Sequence, residues 1–529
     1  FTNNLLQLAA SNYPTDASLN YGIGTAASGN IFAQDPLFVN AADIDGADNI
    51  HRTADDGLHL AYGSPAFNTG NNTGVTATDI TGAARIQNTT VDMGAYEGGV
   101  CPTVTTLYVD ASIAASGNGQ SWATAFKTLD EALAIAQCCS IIDTIKVATG
   151  TYIPTKKPYN SCAEMTTTDA RDITFHLPDG LVLWGGYPAG GGVRNSLANI
   201  TTLSGDIGTV NDATDNAYHV VLTSVDYTTG LGVTIDGFTI TGGNANGLGT
   251  VTVNGNITNQ SVGGGIAILS GTNTLTNNTV SDNSAIDGGG IFIFSGANTL
   301  TNNTLSGNSA SNYGGGFYTY YGINTLTNNT LLGNSASNYG GGIYTHGSGN
   351  TIINNTLLGN SASNYGGGIY SYIGANTLTN NIFWENQQAG SSTVSGADIA
   401  GYPFIVTYCL TQLNSDYSTG TGIINNQDPL FVNAADPDGA DNIHRTADDG
   451  LQLSCGSPAY NAATATGAPT TDIIGATRPQ FGVVDMGAYE SVNNLNLIVS
   501  SITTDAAYNG GTGSVAISAS GGTSPYTGT

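Results

Sequence analysis

Charged side chains are scarce in this sequence. Only 9% of its 529 residues are Asp, Glu, Lys or Arg, against about 25% in an ordinary soluble domain, so we expect few ion pairs. The hydrophobic content of 40%, with 26 Tyr and 14 Phe, is high enough to order the chain, and the low charge does not indicate disorder. A chain of this length is expected to fold as more than one compact unit.

Basic residues are the rarest of the charged types. Lys and Arg number 10 against 38 Asp and Glu, a formal net charge of -28, which repels phosphate backbones and anionic lipid headgroups. We therefore expect no nucleic-acid partner. No run approaches the roughly 18 consecutive apolar residues of a membrane-spanning helix, which predicts no direct membrane insertion. The sequence begins at Phe1 with neither an initiator Met nor a basic leader, and we interpret it as part of a longer exported chain whose signal and sorting segments lie elsewhere.

Cysteines are few and lack the paired CxxC spacing of a zinc site, which leaves free thiols or disulfides in an oxidising setting. Cys409 and Cys455 are predicted to pair with each other, because both are missing together from the other copy of the long repeat described below. Cys162 can pair with Cys138 or Cys139, and either choice leaves the partner of Cys101 open.

A long repeat divides the chain into parts. The segment that starts at Asp35 returns at Asp428, and VDMGAYE at Val91 returns at Val484, with the same offset and no gap between the two anchors. We interpret residues 1–98 as the C-terminal end of a preceding module, 103–490 as one complete module, and 493–529 as the truncated start of a different repeat. This is the layout of a tandem array, in which the neighbours are modules of the same longer chain.

A short repeat lies inside the complete module. Its units read as short extended pieces separated by Asn, Ser and Gly turns, which predicts strands. The period of 25 or 26 residues is too short for a propeller blade, and the unit lacks the Leu spacing of a leucine-rich repeat. The sequence therefore predicts a β-solenoid with one coil per unit over the regular coils 263–390. Its Gly-Gly-Gly triplets begin at Gly263, Gly288, Gly314, Gly340 and Gly366.

Stacked coils place equivalent residues in columns about 4.8 Å apart. Alternation along the strand after each triplet predicts one apolar column inside and two aromatic columns outside. The inward column is Ile266, Ile291, Phe317, Ile343 and Ile369. The outward columns form a predicted flat ligand-binding slab of Tyr318, Tyr344 and Tyr370 beside Tyr320, His346 and Tyr372. A ladder of stacked amides is predicted at Asn277, Asn302, Asn328, Asn354 and Asn380.

The open ends of a solenoid expose strand edges that must be covered. Residues 121–137 form the one good amphipathic helix pattern in the sequence, with Ser121 placed as the N-cap, and we predict that they form an N-terminal helical cap. The apolar stripe of this helix is Ala125, Leu129, Leu133 and Ala136. At the other end, residues 428–490 are predicted to be an Asp-rich closing region.

The complete module contains LYVDASIAASGNGQSWATAFKTLDEALAIA, IKVATGTYIPT, LWGGYPAG, LSGDIG, DNAYHVV, IDGFTITGGNAN and the GGGI coils. Together these segments resemble the right-handed parallel β-helix proteins of bacterial surfaces, which have a pectin-lyase-like fold. The resemblance implies an all-β, right-handed parallel β-helix (a solenoid) for 103–490 and, by duplication, for 1–98. It implies no single activity, because this scaffold hosts lyases, hydrolases and adhesins.

The C-terminal segment GTGSVAISASGGTSPYT is similar to the opening of the SprB-type repeat of gliding-motility adhesins from Bacteroidota. Tyr508 stands where that family has a Cys. This partial resemblance implies the start of a β-sandwich-like repeat at 493–529, and an extracellular or outer cell-surface location for a large secreted protein.

Catalytic residues are hard to find in the sequence. A polysaccharide lyase of this fold needs a basic residue beside calcium-binding carboxylates, and a glycoside hydrolase needs paired carboxylates. No Lys or Arg lies between Arg194 and Arg445, so the coils lack a base and a group that grips an acidic sugar. Asp206, Asp236 and His219 are the candidates, and we interpret Asp206 and His219 as turn and packing residues.

The Asp-rich segment occurs in both copies of the long repeat and predicts a Ca²⁺ site in each, because hard cations take six to eight oxygen ligands. Its spacing is not that of an EF-hand, and the alternative is a solvated acidic turn. The predicted ligands are Asp43, Asp45, Asp48, Asp55 and Asp56 in the first copy, and Asp436, Asp438, Asp441, Asp448 and Asp449 in the second.

Near-identical coils suit a repeated surface better than a unique active site. The sequence therefore predicts a secreted or cell-surface, non-catalytic adhesin or structural β-helix protein that contacts glycans through its outward aromatics. The alternative is a carbohydrate-active enzyme, either a polysaccharide lyase or a glycoside hydrolase. A purely structural filament component is a third reading.

Overall fold

The structure is a computed structural model that describes most of residues 35–491, with two short strand pairs outside this range. The described residues are 4–6, 31–32, 35–60, 64–86, 90–98, 101–160, 162–223, 231–347, 349–394, 396–402, 404–412, 420–454, 456–491, 498–503 and 515–520. The predictions for the rest of residues 1–34, for Cys455 and for most of 493–529 lie outside them.

The chain winds into stacked coils, and each regular coil adds one strand to each of three long parallel sheets. Sheet A contains Thr106–Val109, Thr144–Ala148, Val182–Tyr187, Leu231–Asp236, Thr272–Thr276, Thr299–Thr301, Thr325–Thr327, Thr351–Ile353, Asn376–Thr379 and Phe404–Thr407. Sheet B contains Gly150–Tyr152, Thr201–Ser204, Thr239–Thr241, Thr279–Ser281, Thr304–Ser306, Thr330–Leu332, Thr356–Leu358, Ile382–Trp384, Leu410–Thr411 and Ile424–Asn425. Sheet C contains Phe175–Leu177, Val221–Thr223, Ile266–Ile268, Ile291–Ile293, Phe317–Thr319, Ile343–His346, Ile369–Ile373 and Ile399–Gly401.

A shorter parallel sheet D lies between sheets B and C along the path of the chain. Its strands are Asn244–Ala245, Ser284–Asp287, Ser309–Tyr313, Ser335–Ala336, Ser361–Ala362 and Gln387–Gln388. Leu5–Leu6 pairs in parallel with Ile31–Phe32. The antiparallel pairs are Tyr159–Asn160 with Ala163–Glu164, Thr250–Val253 with Asn256–Asn259, and Ile498–Thr503 with Val515–Ser520.

The strand register confirms one coil per Gly-triplet unit. Ile266 pairs with Ile291, and Phe317 pairs with Ile343, so the inward column is continuous. All five of its side chains are at most 1% exposed and belong to one long hydrophobic core inside the coils. The predicted all-β parallel β-helix is therefore the fold of the regular coils.

The Gly triplets are required by backbone conformation and by the closeness of neighbouring coils. The first glycine of each triplet has a positive φ, between 63° and 69°, a conformation that side chains with a Cβ rarely adopt. At the third position, a Cβ on Gly290 would lie 2.6 Å from the carbonyl oxygen of Gly316 in the next coil. Any larger residue there would push two coils apart.

Buried asparagines stack in three ladders, each at most 1% exposed. In every ladder the side-chain Nδ2 donates to the Oδ1 of the equivalent residue in the next coil, at 2.7 to 3.1 Å. The ladders are Asn273, Asn298, Asn324, Asn350, Asn376; Asn278, Asn303, Asn329, Asn355, Asn381; and Asn283, Asn308, Asn334, Asn360, Asn386.

The predicted Asn277 column is only a partial ladder. Its residues form the corner between sheets A and B and have positive φ from 53° to 61°, which Asn tolerates better than most residues. The amide contact from Asn302 to Asn277 is long at 3.4 Å. Asn328 Nδ2 contacts both Asn302 Oδ1 at 3.3 Å and Thr471 O of the closing region at 2.8 Å. Asn354 directs its Nδ2 group to backbone oxygens of the closing region instead. The continuous ladder lies one residue later in the chain.

The N-terminal cap exists, but its α-helix begins later than predicted. Residues Trp122–Thr124 form a 3₁₀ turn, and the α-helix spans Leu129–Cys138. Thr128 is its N-cap, with a capping box to Glu131, whereas the Ser121 side chain caps nothing. The stripe residues Ala125, Leu129, Leu133 and Ala136 are all buried. A second 3₁₀ turn spans Ala170–Asp172.

The closing region packs along the outside of sheet B. Leu332 and Leu358 occupy the column that holds Ser281 and Ser306 in the preceding coils, and they form a hydrophobic cluster with Leu451, Ile473, Ala488 and Tyr489. The Ala488 backbone N–H donates to Thr356 Oγ1 at 3.0 Å. This outward column of sheet B thus contains serine in the earlier coils and leucine in the coils that the closing region covers.

The disulfide pattern is partly different from the expectation. Cys101 and Cys139 are bonded, which gives Cys101 the partner that the sequence left open and rules out Cys139 for Cys162. Cys138 and Cys162 are free thiols that lie beside each other. Cys409 is a buried free thiol, and Cys455 lies outside the described residues, so the predicted Cys409–Cys455 pair is not one that the structure describes.

Within the described ranges, no helix has the length and apolar character needed to cross a membrane.

The Asn329 ladder position should be essential for stability. Asn329 Nδ2 donates to Leu300 O and Asn355 Oδ1, and its own Oδ1 accepts from the backbone and side-chain amides of Asn303. The substitution Asn329→Ala would leave these buried groups unpaired, so we expect the free energy of unfolding to fall by about 3 kcal/mol, as measured by chemical denaturation. The exposed Asn364 is the matched control, and Asn364→Ala should cost at most about 0.5 kcal/mol. Equal losses in the two variants would contradict a structural role for the ladder.

The closing region should lose stability as the pH rises. Burial raises the pKa of Glu490 from 4.5 to about 7, helped by Asp485 and opposed by Arg478. At a pH between these two pKa values, Glu490 keeps a proton in the folded chain that it has released in the unfolded chain. The free energy of unfolding therefore falls as the pH rises, by about 2 to 3 kcal/mol for this group. Chemical denaturation at pH 4 and pH 8 measures this decrease in the free energy of unfolding. The decrease should be smaller by about 2 to 3 kcal/mol in Glu490→Gln. In the exposed control Glu385→Gln it should equal that of the wild type. The same pH dependence in wild type and Glu490→Gln would refute this.

Candidate functional site

The predicted aromatic slab separates into two different structures on the outer side of sheet C. Tyr318 pairs with Tyr344, and Tyr344 with Tyr370, so these residues do lie one above another in successive coils. However, Tyr318 and Tyr344 are only 6% and 4% exposed. They form the first part, a covered tyrosine cluster, and are not available as a flat surface.

A second set of tyrosines covers this cluster. Tyr313 and Tyr339 come from the end of sheet D, just before the Gly triplets. The Tyr313 ring stacks on Tyr344 with centroids 4.8 Å apart, and Tyr339 lies 4.6 Å from Tyr370. Burial raises the pKa values of Tyr318 and Tyr344 well above the usual range. The sequence pattern gave the correct side of the strand but not the residues that pack over it.

The second part is an aromatic ladder where sheet C turns towards sheet A. Its members are Phe294, Tyr320, His346 and Tyr372. Successive ring centroids are 5.6, 4.4 and 5.0 Å apart, with planes inclined by 5° to 12°. Phe294 and Tyr372 at its ends are exposed, and Tyr320 and His346 between them are half-buried.

Stacking decides which part of each ring a ligand can reach. Parallel rings in contact cover each other's faces, so the middle of the aromatic ladder presents ring edges and polar atoms to solvent. Tyr321 stands beside the ladder, 52% exposed, with its ring edge-on to Tyr320 and His346. This arrangement offers ring faces at the two ends of the ladder and on Tyr321, and it is not the flat slab that was predicted. Neither Phe294 nor Tyr321 was among the predicted ligand contacts, although Phe294 belongs to the same outer column in the sequence.

The three candidate catalytic residues lie on different parts of the coils. Asp206 follows a strand of sheet B, and its carboxylate accepts two 3.1 Å contacts from the Asn211 backbone N–H. His219 precedes a strand of sheet C and is buried, with Nδ1 3.1 Å from Gly263 O, and burial lowers its pKa. Asp236 ends a strand of sheet A and forms an ion pair with Arg194 at 2.8 Å. The structure does not bring them together as an acid–base pair.

The structure does bring together two residues that sequence reasoning kept apart. Arg194 and Arg445 delimit the long stretch without Lys or Arg, and both line one cavity of about 480 Å³ between the coils and the closing region. The closing region folds back along sheet B. It therefore places Arg445 against coils that contain no Lys or Arg of their own. No motif in the sequence signals this approach.

The Asp-rich loops have the same internal hydrogen bonds in both copies. In the second copy, Thr446 Oγ1 lies 2.6 Å from Asp448 Oδ1 and 3.0 Å from Asp449 Oδ1, and the Tyr489 hydroxyl donates to Asp449 Oδ2 at 2.5 Å. The equivalent contacts in the first copy join Thr53 to Asp55 and Asp56, and Tyr96 to Asp56. The threonine hydroxyl thus stands where the carboxylates converge.

These loops are not preassembled as metal centres. No group of three or more His, Cys, Asp or Glu side chains within the described ranges has an arrangement that could hold a metal ion. Asp48, Asp441 and Asp448 use their oxygens to accept backbone N–H groups of their own loops. No contact of the Asp43, Asp45, Asp436 or Asp438 carboxylates enters this network, and calcium binding stays a prediction.

A family model agrees with the fold. It is described as a right-handed β-helix region and matches residues 236–405, which include the regular coils. Among solved structures, the chain is similar to the pectate lyase Pel9A at 14% sequence identity and a TM-score of 0.37, over 74% of this chain and 97% of that chain. No curated protein matches it. The sheets and the family model together establish the predicted right-handed parallel β-helix.

Calcium should stabilise the protein if the Asp-rich loops bind it. An ion that binds only the folded state raises the melting temperature, and it would relieve the repulsion between the carboxylates that converge on Thr53 and Thr446. We expect calcium to raise the melting temperature and a chelator to reverse the rise. The double variant Asp55→Asn/Asp448→Asn should lose this response. An unchanged melting temperature on addition and removal of calcium would reject the site.

Proposed function

We propose that this chain is a secreted or cell-surface β-helix protein without catalytic activity, which contacts glycans along its aromatic ladder. The observation that carries the proposal is the unbroken row of Phe294, Tyr320, His346 and Tyr372, repeated once per coil. A glycan chain is itself a repeating polymer, and ring faces and phenol hydroxyls are the groups that contact sugar C–H bonds and hydroxyls. An adhesin that presents such a row on a rigid rod is the function best supported.

The geometry of the coils supports binding without turnover. Hydrolysis of a glycosidic bond uses two carboxyl groups that face each other across a cleft, roughly 5 to 9.5 Å apart. Asp206 and Asp236 lie on different sheets, and Asp236 is held by Arg194. The ladder coils from Gly288 to Tyr372 contain no acidic residue, and Asp287 lies just before them at the end of a strand of sheet D. A carbohydrate-active enzyme remains the alternative, with the front coils as its location.

The ladder residues should control glycan retention. The whole chain would be applied to an array of neutral and anionic glycans, together with the variants Tyr320→Ala and Tyr372→Ala. We expect each variant to weaken binding of the retained glycans at least about fivefold, because each removes an aromatic contact worth about 1 kcal/mol or more. Phe481→Ala is the matched control, since Phe481 is 41% exposed and lies in the closing region, not in the ladder column. It should bind like the wild type.

The rival functions predict different results in the same experiment. A purely structural filament component would retain no glycan, with or without the tyrosines. An enzyme would cleave one of the arrayed polysaccharides in solution, and Asp206→Ala or Asp236→Ala would abolish that cleavage. Either outcome would refute the proposal, whereas retention that depends on Tyr320 and Tyr372 without cleavage would support it.

A further inference from the structure

Arg445 is a buried cation whose hydrogen bonds are largely unmade. Its side chain comes from the closing region and reaches the corner between sheets A and B, where the residue is 7% exposed. The Nε atom has no partner among the described residues. Nη1 lies 3.5 Å from Asn302 O, and Nη2 lies 3.5 Å from Thr279 Oγ1, both longer than the usual range of about 2.7 to 3.2 Å.

The surroundings of Arg445 do not neutralise its charge by direct contact. The ion pairs found in the described part of the chain involve Arg194 and Arg478 but not Arg445. Burial lowers the pKa of Arg445 to about 10, opposed by the more distant Asp236 and Asp449, so the group is still charged at neutral pH. A buried charge without a partner is unfavourable, and a ligand of opposite charge would relieve it.

Space for such a ligand lies beside the guanidinium. Arg445 lines both the cavity of about 480 Å³ and an adjoining one of about 350 Å³. Arg194 also lines the larger cavity and already has partners: its Nε donates to Gly185 O at 2.7 Å, and its other two nitrogens donate to Asp236. Cavities of this size hold ligands as large as a monosaccharide.

The first copy of the repeat shows that the buried position is not a property of the loop itself. Arg52 occupies the equivalent place, and its backbone N–H donates to Asp56 just as that of Arg445 donates to Asp449. Arg52 is exposed. The loop builds the same turn in both copies, and only the packing of the closing region against the coils places Arg445 in a cavity.

We propose that this cavity binds a ligand through a carboxylate held by Arg445, with Asn277 and Asn302 lining the same space. The planar guanidinium can donate two parallel hydrogen bonds to a carboxylate. A singly charged group is favoured over a doubly charged phosphate because Asp236 lies nearby and the chain carries a net charge of -28. The cavity size indicates a sugar acid, and this site is separate from the aromatic ladder.

The test compares glucuronate with glucose, acetate and inorganic phosphate as probes, using calorimetric titration of the whole chain. We expect glucuronate to bind, glucose to show no binding, and Arg445→Gln to weaken glucuronate at least about tenfold. Arg52→Gln is the matched control and should bind like the wild type. Binding of acetate would also support the site and would show that the carboxylate alone is the determinant.

Three results would overturn the assignment: equal binding of glucose, tighter binding of phosphate than of glucuronate, or equal losses in Arg445→Gln and Arg52→Gln. Should Arg445→Gln not fold, crystals of the wild-type chain soaked with glucuronate provide the decision, since its carboxylate must lie within hydrogen-bond distance of the Arg445 guanidinium. The variants Tyr320→Ala and Tyr372→Ala should leave glucuronate binding unchanged, which separates this site from the glycan contacts proposed above.

Discussion

The stacking of one coil on the next is the constraint on which the rest of this structure depends. Coils lie so close that a Cβ at the third glycine of a triplet would contact a carbonyl oxygen of the neighbour at 2.5 to 2.8 Å. At that spacing the buried asparagine side chains are satisfied by their equivalents in the next coil and by backbone carbonyl groups, as in the three asparagine ladders. Both the glycines and the asparagines must therefore recur at every turn, which explains why the coils are nearly identical.

The same constraint explains how much of the fold could be predicted from the sequence. Periodic glycines and asparagines give the coil length, and the apolar column after each triplet gives the inward face. The pairing of equivalent residues in successive coils could therefore be predicted from the sequence. The predicted Asn277 column is only a partial ladder and the continuous one lies one residue later, because Asn277 and Asn278 are adjacent and only the backbone conformation shows which one turns the corner. The start of the cap helix was wrong for a similar local reason: Thr128 with Glu131 is a stronger cap than Ser121.

The functional surfaces were harder to predict because they depend on contacts between parts of the chain that have no fixed spacing. Strand alternation placed Tyr318 and Tyr344 outside, yet tyrosines from sheet D cover them, and what remains accessible is the neighbouring column. The replacement of Ser281 and Ser306 by Leu332 and Leu358 was a readable sign that something covers sheet B. No sequence pattern predicts that Arg445 is buried against the coils, because its position depends on how the closing region packs along them.

The closing region also sets a rule for how this protein can change in length. It binds the corner residues of three successive coils, since Asn328 donates to Thr471 O, Asn354 to Asp485 O and Asn380 to Thr464 O. A coil inserted or deleted between Asn328 and Asn380 would move at least one of these donors away from its acceptor by one strand spacing, about 4.8 Å. A change in the number of coils over this stretch would therefore break contacts with the closing region. Duplication of the whole module, with its coils and its closing region, keeps every contact.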